Sequence, residues 1–228
     1  MYAQYLFELS IFLLLTLLVI YKNNFQNMKK TVFSIALLTA FSLGVMSFSV
    51  PQTDAKKTYS VSTSASKIVW NAYKVTGQHE GNVAVKKGSL EFDNDMLTGG
   101  SFEIDMTSIT VTDIQGEWAQ KLTGHLKSDD FFGVEKYPTA KFVITKVVSR
   151  GTPGDYKIIG NITIKETTKE IKFLANVKEE GGKQVATADI KLDRSEYDIR
   201  YGSGSFFDNL GDKTIYDEFD LKISLVTE

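Results

Sequence analysis

The chain has 228 residues, with 26 basic and 28 acidic side chains, two histidines, no cysteine and 43% hydrophobic content. That length allows one domain of up to about 200 residues or two small ones, with a core that needs no disulfide or metal staple. The missing cysteine excludes a disulfide scaffold, thiolate zinc sites, thiol catalysis and a lipid-modified cysteine. The charges divide unevenly: Lys22, Lys29 and Lys30 against Glu8 fall in residues 1–50, which leaves 23 basic and 27 acidic groups beyond. A mildly acidic domain without a Lys/Arg block is a poor partner for a phosphate backbone, so nucleic acid is excluded as the expected ligand.

Two apolar stretches open the chain. Leu6 to Ile20 is shorter than the roughly 20 residues of a spanning helix, with Tyr2, Tyr5 and Tyr21 at its flanks. The second begins at Met28, where MKKTVFSIALLTAFSLGVMSFSV sets two lysines before an uncharged run that ends in small residues. This is the pattern of a secretory signal peptide. Residues 28–50 are therefore expected to direct export, with cleavage between Met46 and Lys56 and residues 51–57 as linker. Two readings stand for residues 1–27: an over-extended start before Met28, or an apolar anchor. The expected location is periplasmic or secreted, and the expected membrane contact is the N-terminal segment alone, if uncleaved.

From Thr58 onward the apolar period is close to two. Leu90 and Phe92 share a face, as do Phe102, Ile104 and Met106, with Glu103 and Asp105 on the opposite, wet side. Ala140, Phe142 and Ile144 align, as do Ile158, Gly160, Ile162 and Ile164, and then Ile171, Phe173, Ala175 and Val177. In the last strand Ile215, Phe219, Leu221, Ile223 and Leu225 alternate with polar residues, and Asp217 is the one interruption. Such alternation predicts antiparallel strands with one buried face. Asp93-Asn94-Asp95, Gly99-Gly100, Thr152-Pro153-Gly154-Asp155 and Glu180-Gly181-Gly182-Lys183 read as turns. Seven to nine such strands imply a sandwich or a closed barrel.

One segment breaks the period. Residues 114–127 place Trp118, Leu122 and Leu126 four apart, which predicts one inserted amphipathic helix capped by Thr112 or Asp113. The following SDDFFGVEKYP carries Phe131, Phe132, Tyr137 and Pro138, too bulky for a solvent loop and expected to cover one barrel end. His79, in Gly77-Gln-His-Glu-Gly81, is expected in a loop. Two histidines without a ligand spacing predict no metal, and no catalytic motif is legible.

HLKSDDFFGVEKYPTAKF, residues 125–142, resembles the signature of the YceI-like family of lipocalin-like, polyisoprenoid-binding proteins. Residues 88–109, 160–173 and 190–225 resemble further family segments in the same order, so the likeness runs from about Tyr59 to Val226. The chain departs from the family pattern at AYKVTGQHEG, at EWAQKLTGHLK and at Glu166, where a glycine is common. The resemblance implies an all-β fold over residues 58–228: a closed antiparallel barrel of about eight strands around an apolar tunnel for a long isoprenoid such as a quinone tail or polyprenyl phosphate.

The expected tunnel wall is the inward stripe of Leu90, Phe92, Phe102, Ile104, Phe142, Ile144, Ile158, Ile162, Phe173, Phe219 and Leu221. Trp118, His125, Phe131, Phe132, Phe206 and Phe207 are expected at the mouth or lid. Arg194, in Asp193-Arg194-Ser195-Glu196, either braces the barrel beside an acid or meets an anionic head group. The first reading is an exported, non-enzymatic lipid carrier without cofactor or metal, its oligomeric state open and a dimer allowed. Its rivals are a filled-barrel interaction or stress-related envelope module without lipid, and a lipid-processing enzyme, which would need His125 beside a carboxylate in a pocket.

Overall fold

A computed structural model describes residues 56–228. The expected signal peptide, the 1–27 segment and the start of the expected linker lie outside the described residues. Nine strands form one antiparallel sheet: β1 (Lys56–Ser60), β2 (Lys67–Lys74), β3 (Gly77–Asp93), β4 (Met96–Val111), β5 (Thr139–Ser149), β6 (Asp155–Ile164), β7 (Thr167–Glu180), β8 (Lys183–Asp193) and β9 (Ile215–Val226). β1 begins at Lys56, two residues inside the stretch expected as linker. The order β3-β2-β9-β8-β7-β6-β5-β4 returns to β3 through the β3–β4 ladder, so eight strands close a barrel. β1 and β2 pair with successive parts of the same edge of β3, Ser60 opposite Ser89 and Ile68 opposite Val83. Closure removes the open edges that would otherwise template aggregation.

The ladders are incomplete in two places. β7 and β8 pair only from Ala175–Ala188 to Glu180–Lys183, and β4 and β5 only from Ser101–Val143 to Asp105–Thr139. Beyond Val143, β5 has no ladder to β4, and before Ala175, β7 has none to β8. One helix, α1 (Gly116–Lys127), follows β4, and a short 3-10 helix, Arg194–Tyr197, follows β8.

Three local expectations are corrected. The Gly77–Gly81 stretch is the start of the 17-residue β3 and not a loop, so His79 stands in a strand. Gly81 is there because the indole of Trp70 occupies the place of its side chain: a Cβ would lie 2.4 Å from Cζ2. Gly99-Gly100 is likewise interior to β4 and not a turn, since a Cβ on Gly100 would meet the carbonyl oxygen of Ser89 at 2.6 Å. These glycines mark close approach of chain to chain, which sequence punctuation does not distinguish from a bend. Third, α1 is preceded by Gln115 without a side-chain cap. Asp113 instead accepts from the Glu80 amide at 3.1 Å and meets Nδ1 of His79 at 2.8 Å, tying the helix entrance to β3. Burial pushes the Asp113 carboxyl up, but the Glu80 and His79 bonds outweigh it and hold the group below its ordinary value.

Candidate functional site: an apolar cavity along the barrel axis

The inward faces enclose a cavity of about 210 Å3. Leu90, Phe102, Ile104, Phe142, Ile144, Ile158, Ile162, Phe173, Phe219 and Leu221 all border it, together with Ile68, Trp70, Met106, Ile190, Leu192 and other apolar residues. Phe92 does not. It is buried at the end covered by β1, where Tyr59 packs edge-on against it at 5.4 Å between centroids. Tyr156 helps close that end, its hydroxyl accepting from the Leu97 amide at 3.3 Å.

The middle of the cavity is aromatic. Phe142 stacks beside Phe102 at 6.3 Å and tilts against Phe173 at 5.6 Å. Gly160 makes the room, because a Cβ there would stand 2.4 Å from Cζ of Phe142. Ile215 and Leu225, both bordering the cavity, are ten positions apart on one strand. At ~3.3 Å per residue and a strand tilt of about 40°, the cavity is roughly 25 Å long. It is slender and lined by hydrocarbon, with Arg194, Thr187 and Tyr216 as the polar residues on its border.

The opposite end from β1 is covered by residues 128–138 and 198–214. Consecutive amides of Phe131 to Val134 donate to the carbonyls of Ser128, Leu126, Ser128 and Lys127, folding the chain into a tight cap. Phe131 is buried and Phe132 half-buried, and both border the cavity. His125 lies edge-on to Phe131 at 4.9 Å and to Tyr201 at 4.4 Å. The other expected mouth residues lie at this end but outside the cavity. Trp118 is 72% exposed on the outer face of α1, while Phe206 and Phe207 are 40% and 50% exposed; none borders the cavity. Of the helix, only Leu126 reaches it. The Phe206–Phe207 segment stays outside because Arg200 lies over the Phe206 ring at 4.9 Å and Tyr201 closes on His125 beneath.

Arg194 is 5% exposed and committed to the protein. Nε donates to the Tyr216 carbonyl, Nη1 to those of Ile199 and Tyr201, and Nη2 to that of Ile215, at 2.9–3.1 Å. Nη2 also stands 3.2 Å from Oδ1 of Asp217, the residue that interrupts the apolar stripe of β9. Four guanidinium hydrogen bonds thus go to backbone carbonyls, and Asp217 adds an ion pair. These bonds support the bracing role, one of the two expected for Arg194, while its place on the cavity border leaves the head-group role to experiment. Burial lowers its pKa, opposed by Asp217 and Asp193, and an arginine so partnered stays charged. Asp193 accepts from the Ser195 amide at 2.8 Å and from its hydroxyl, which starts the 3-10 helix and sets Arg194 in place.

That helix ends on Tyr197, 1% exposed, whose hydroxyl has no partner among the described residues. Burial, then Glu196 and Asp193, push its phenol up from 10.0 to about 12. Because the folded value is the higher, the stabilisation is intact below pH 10 and is lost as pH rises through 12. The rise corresponds to about 2–3 kcal/mol. Tyr197→Phe is expected to leave stability at pH 8 unchanged or raise it by up to about 1 kcal/mol, since it removes an unpaired buried hydroxyl. It should also flatten the loss between pH 8 and 11, measured by urea unfolding at both pH values.

The histidines are engaged with acids outside the cavity. Nε2 of His125 is 3.3 Å from Oδ2 of Asp130, as Nδ1 of His79 is 2.8 Å from Asp113, and both imidazoles line a shallow surface groove with Trp118 and Lys121. On the outer wall Glu103 bridges Lys86 and Lys87 at 3.0 and 3.2 Å, which hold its carboxyl below the ordinary range. Among the described residues no group of three or more His, Asp and Glu side chains converges on a metal position.

Sequence reasoning missed the cavity border contributed by Ile68, Trp70, Ala72 and Val83 on β2 and β3, and by Ile199 beyond β8. The alternation of Ile68, Trp70 and Ala72 was the available signal for β2. Nothing local marks Ile199, whose place depends on the Arg194 bonds around it.

A closed eight-stranded antiparallel barrel with an apolar axial cavity defines a lipocalin-like protein. The chain matches the YceI-like domain over residues 59–227 and belongs to that family. It is 33% identical over 94 residues to a UPF0312 protein of Shewanella denitrificans, which covers 41% of this chain and 47% of that protein. It is 40% identical over 57 residues to UPF0312 protein plu2095 of Photorhabdus laumondii, 25% of this chain and 29% of that protein. The matches thus span less than half the length of these curated relatives. In fold it is similar to Burkholderia cenocepacia BcnA, with a TM-score of 0.60 and 24% identity over 74% of this chain and 99% of that one. A polyisoprenoid binding domain from Saccharophagus degradans, implicated in plant cell wall breakdown, has a TM-score of 0.55 at 13% identity, covering 75% and 97% of the two chains.

Proposed function

We propose that this chain is an exported, non-enzymatic carrier or sequestering protein that holds one long apolar lipid, of polyisoprenoid kind, inside its barrel. The observation that carries this reading is the predominantly hydrocarbon lining of the cavity from Leu97 and Leu225 to Phe131 and Ile215. An isoprenoid tail has no polar atoms along its length, so buried area alone can bind it. Covering about 300 Å2 of tail is worth roughly 7 kcal/mol before the costs of association. A slender cavity roughly 25 Å long suits one extended chain better than a compact ligand. The neighbour described as a polyisoprenoid binding domain supports the same ligand class, and the lysine-led apolar run from Met28 supports export. A filled-barrel interaction module would need side chains where the cavity lies between Phe102, Phe142 and Phe173.

The test is mass spectrometry of lipid extracted from the protein purified after export in a membrane-containing host. One isoprenoid per chain is the expected result and would identify its polar end. A well-folded, lipid-free protein from a host rich in quinones and polyprenyl phosphates would replace this reading with the interaction module.

A further inference from the structure

Among the described residues the exposed aromatic side chains are Trp118, Tyr201, Phe206, Phe207 and Tyr216, and every one belongs to the same barrel end. Exposed aliphatic residues are spread more widely: Val75 stands at this end too, while Met96, Val143, Val148 and Leu174 lie over the wall and the other end. The grouping follows from contacts. Trp118 shares a groove with His125, His125 packs on Tyr201, Arg200 lies over Phe206, and the Ile215 amide donates to the Gly202 carbonyl at 2.8 Å. The carbonyl of Tyr216 is held by Arg194. Tyr216 also borders the cavity while half-exposed, and buried Phe131 lies directly beneath Tyr201. The aromatic face is therefore continuous with the cavity.

We infer that this end of the barrel docks on a lipid bilayer surface, its aromatic rings seated at the interface so that an apolar ligand passes between membrane and cavity without crossing water. This inference deepens the carrier reading and rests on it. Rings with one apolar body and one polar edge are the side chains that settle at a membrane–water interface. An isoprenoid tail would lose in water the same burial energy that holds it in the barrel. The charges choose the kind of surface. Residues 112–138 carry three basic and five acidic groups, and residues 194–214 three and four. That balance gives no attraction to anionic lipid, so docking is driven by the rings and is insensitive to salt. The membrane contact expected from sequence was the N-terminal segment alone; this is a second one, made by the barrel.

The chain has two tryptophans, and the second, Trp70, is buried. Trp118 is thus a local reporter in the full chain, whatever the N-terminal segment does. With phosphatidylcholine vesicles carrying brominated acyl chains, wild-type emission is expected to be quenched equally at low and high salt, while Trp118→Phe is not quenched. Phe206→Ser/Phe207→Ser should lower the quenching constant about tenfold, the loss expected from removing roughly one ring's burial. Emission that stays unquenched while the same preparation yields bound isoprenoid overturns the docking and leaves the carrier reading standing. Quenching that needs anionic lipid and disappears in salt overturns its aromatic basis. Quenching by a protein that holds no isoprenoid upholds the docking and overturns the carrier reading.

Discussion

Phe142→Asp is expected to empty the barrel. The side chain stands between Phe102 and Phe173 over Gly160, in a part of the cavity where the border is hydrocarbon. A carboxylate there has no partner within the apolar wall and draws in water, so the tail loses both burial and a dry wall. Lipid recovered by extraction should fall at least ~10-fold, a change needing only about 1.4 kcal/mol of lost binding. A buried charge can also unfold the barrel, so a filling variant provides the parallel test. Ala188→Phe, on the cavity border of β8, keeps the interior apolar but removes volume, at a stability cost of about 1–3 kcal/mol. It too should lose bound lipid. If both variants fold and retain a stoichiometric isoprenoid, the lipid is not in the barrel.

The second large effect is on stability. Arg194→Met is expected to cost about 3–5 kcal/mol, because it leaves the half-buried Asp217 without its cation and four carbonyls without a donor. Arg194→Lys should recover little, since an ammonium cannot reproduce a planar fork that serves Ile199, Tyr201, Ile215 and Tyr216 together. Urea unfolding monitored by circular dichroism gives the size, as a shift of the midpoint. The same variants separate bracing from head-group binding. A brace predicts that Arg194→Lys is less stable yet retains its lipid while folded. A head-group contact predicts lost lipid at unchanged stability.

Most of the wall was legible because a barrel strand is read by a simple rule: every second side chain enters the interior. Ten of the eleven residues expected along the tunnel border it, and Phe92 departs because β1 adds Tyr59 over the barrel end. The mouth was less legible. Size and apolarity pointed equally to Phe131, Phe132, Phe206, Phe207 and Trp118, but only the first two are turned inward. The difference lies in the backbone bonds that fold residues 128–134 over the barrel, and in the side chains of Arg200 and Tyr201 that hold the second loop outside. Glycines misled in the same way, because Gly81 and Gly100 answer to a neighbouring strand and not to their own segment.

The sequence by itself determined the family, the antiparallel sheet, the inserted helix and the apolar stripe, since each is written in local period or in a run of adjacent residues. Asp217 could be read only as a flaw in that stripe. The tertiary structure alone decided that Arg194 lies across from it bonded to four carbonyls, that the Tyr197 hydroxyl is buried without a partner among the described residues, and that the interior holds an apolar cavity. Those outcomes depend on which atoms from distant segments arrive at one point, and period along a chain says nothing about meetings across a closed barrel.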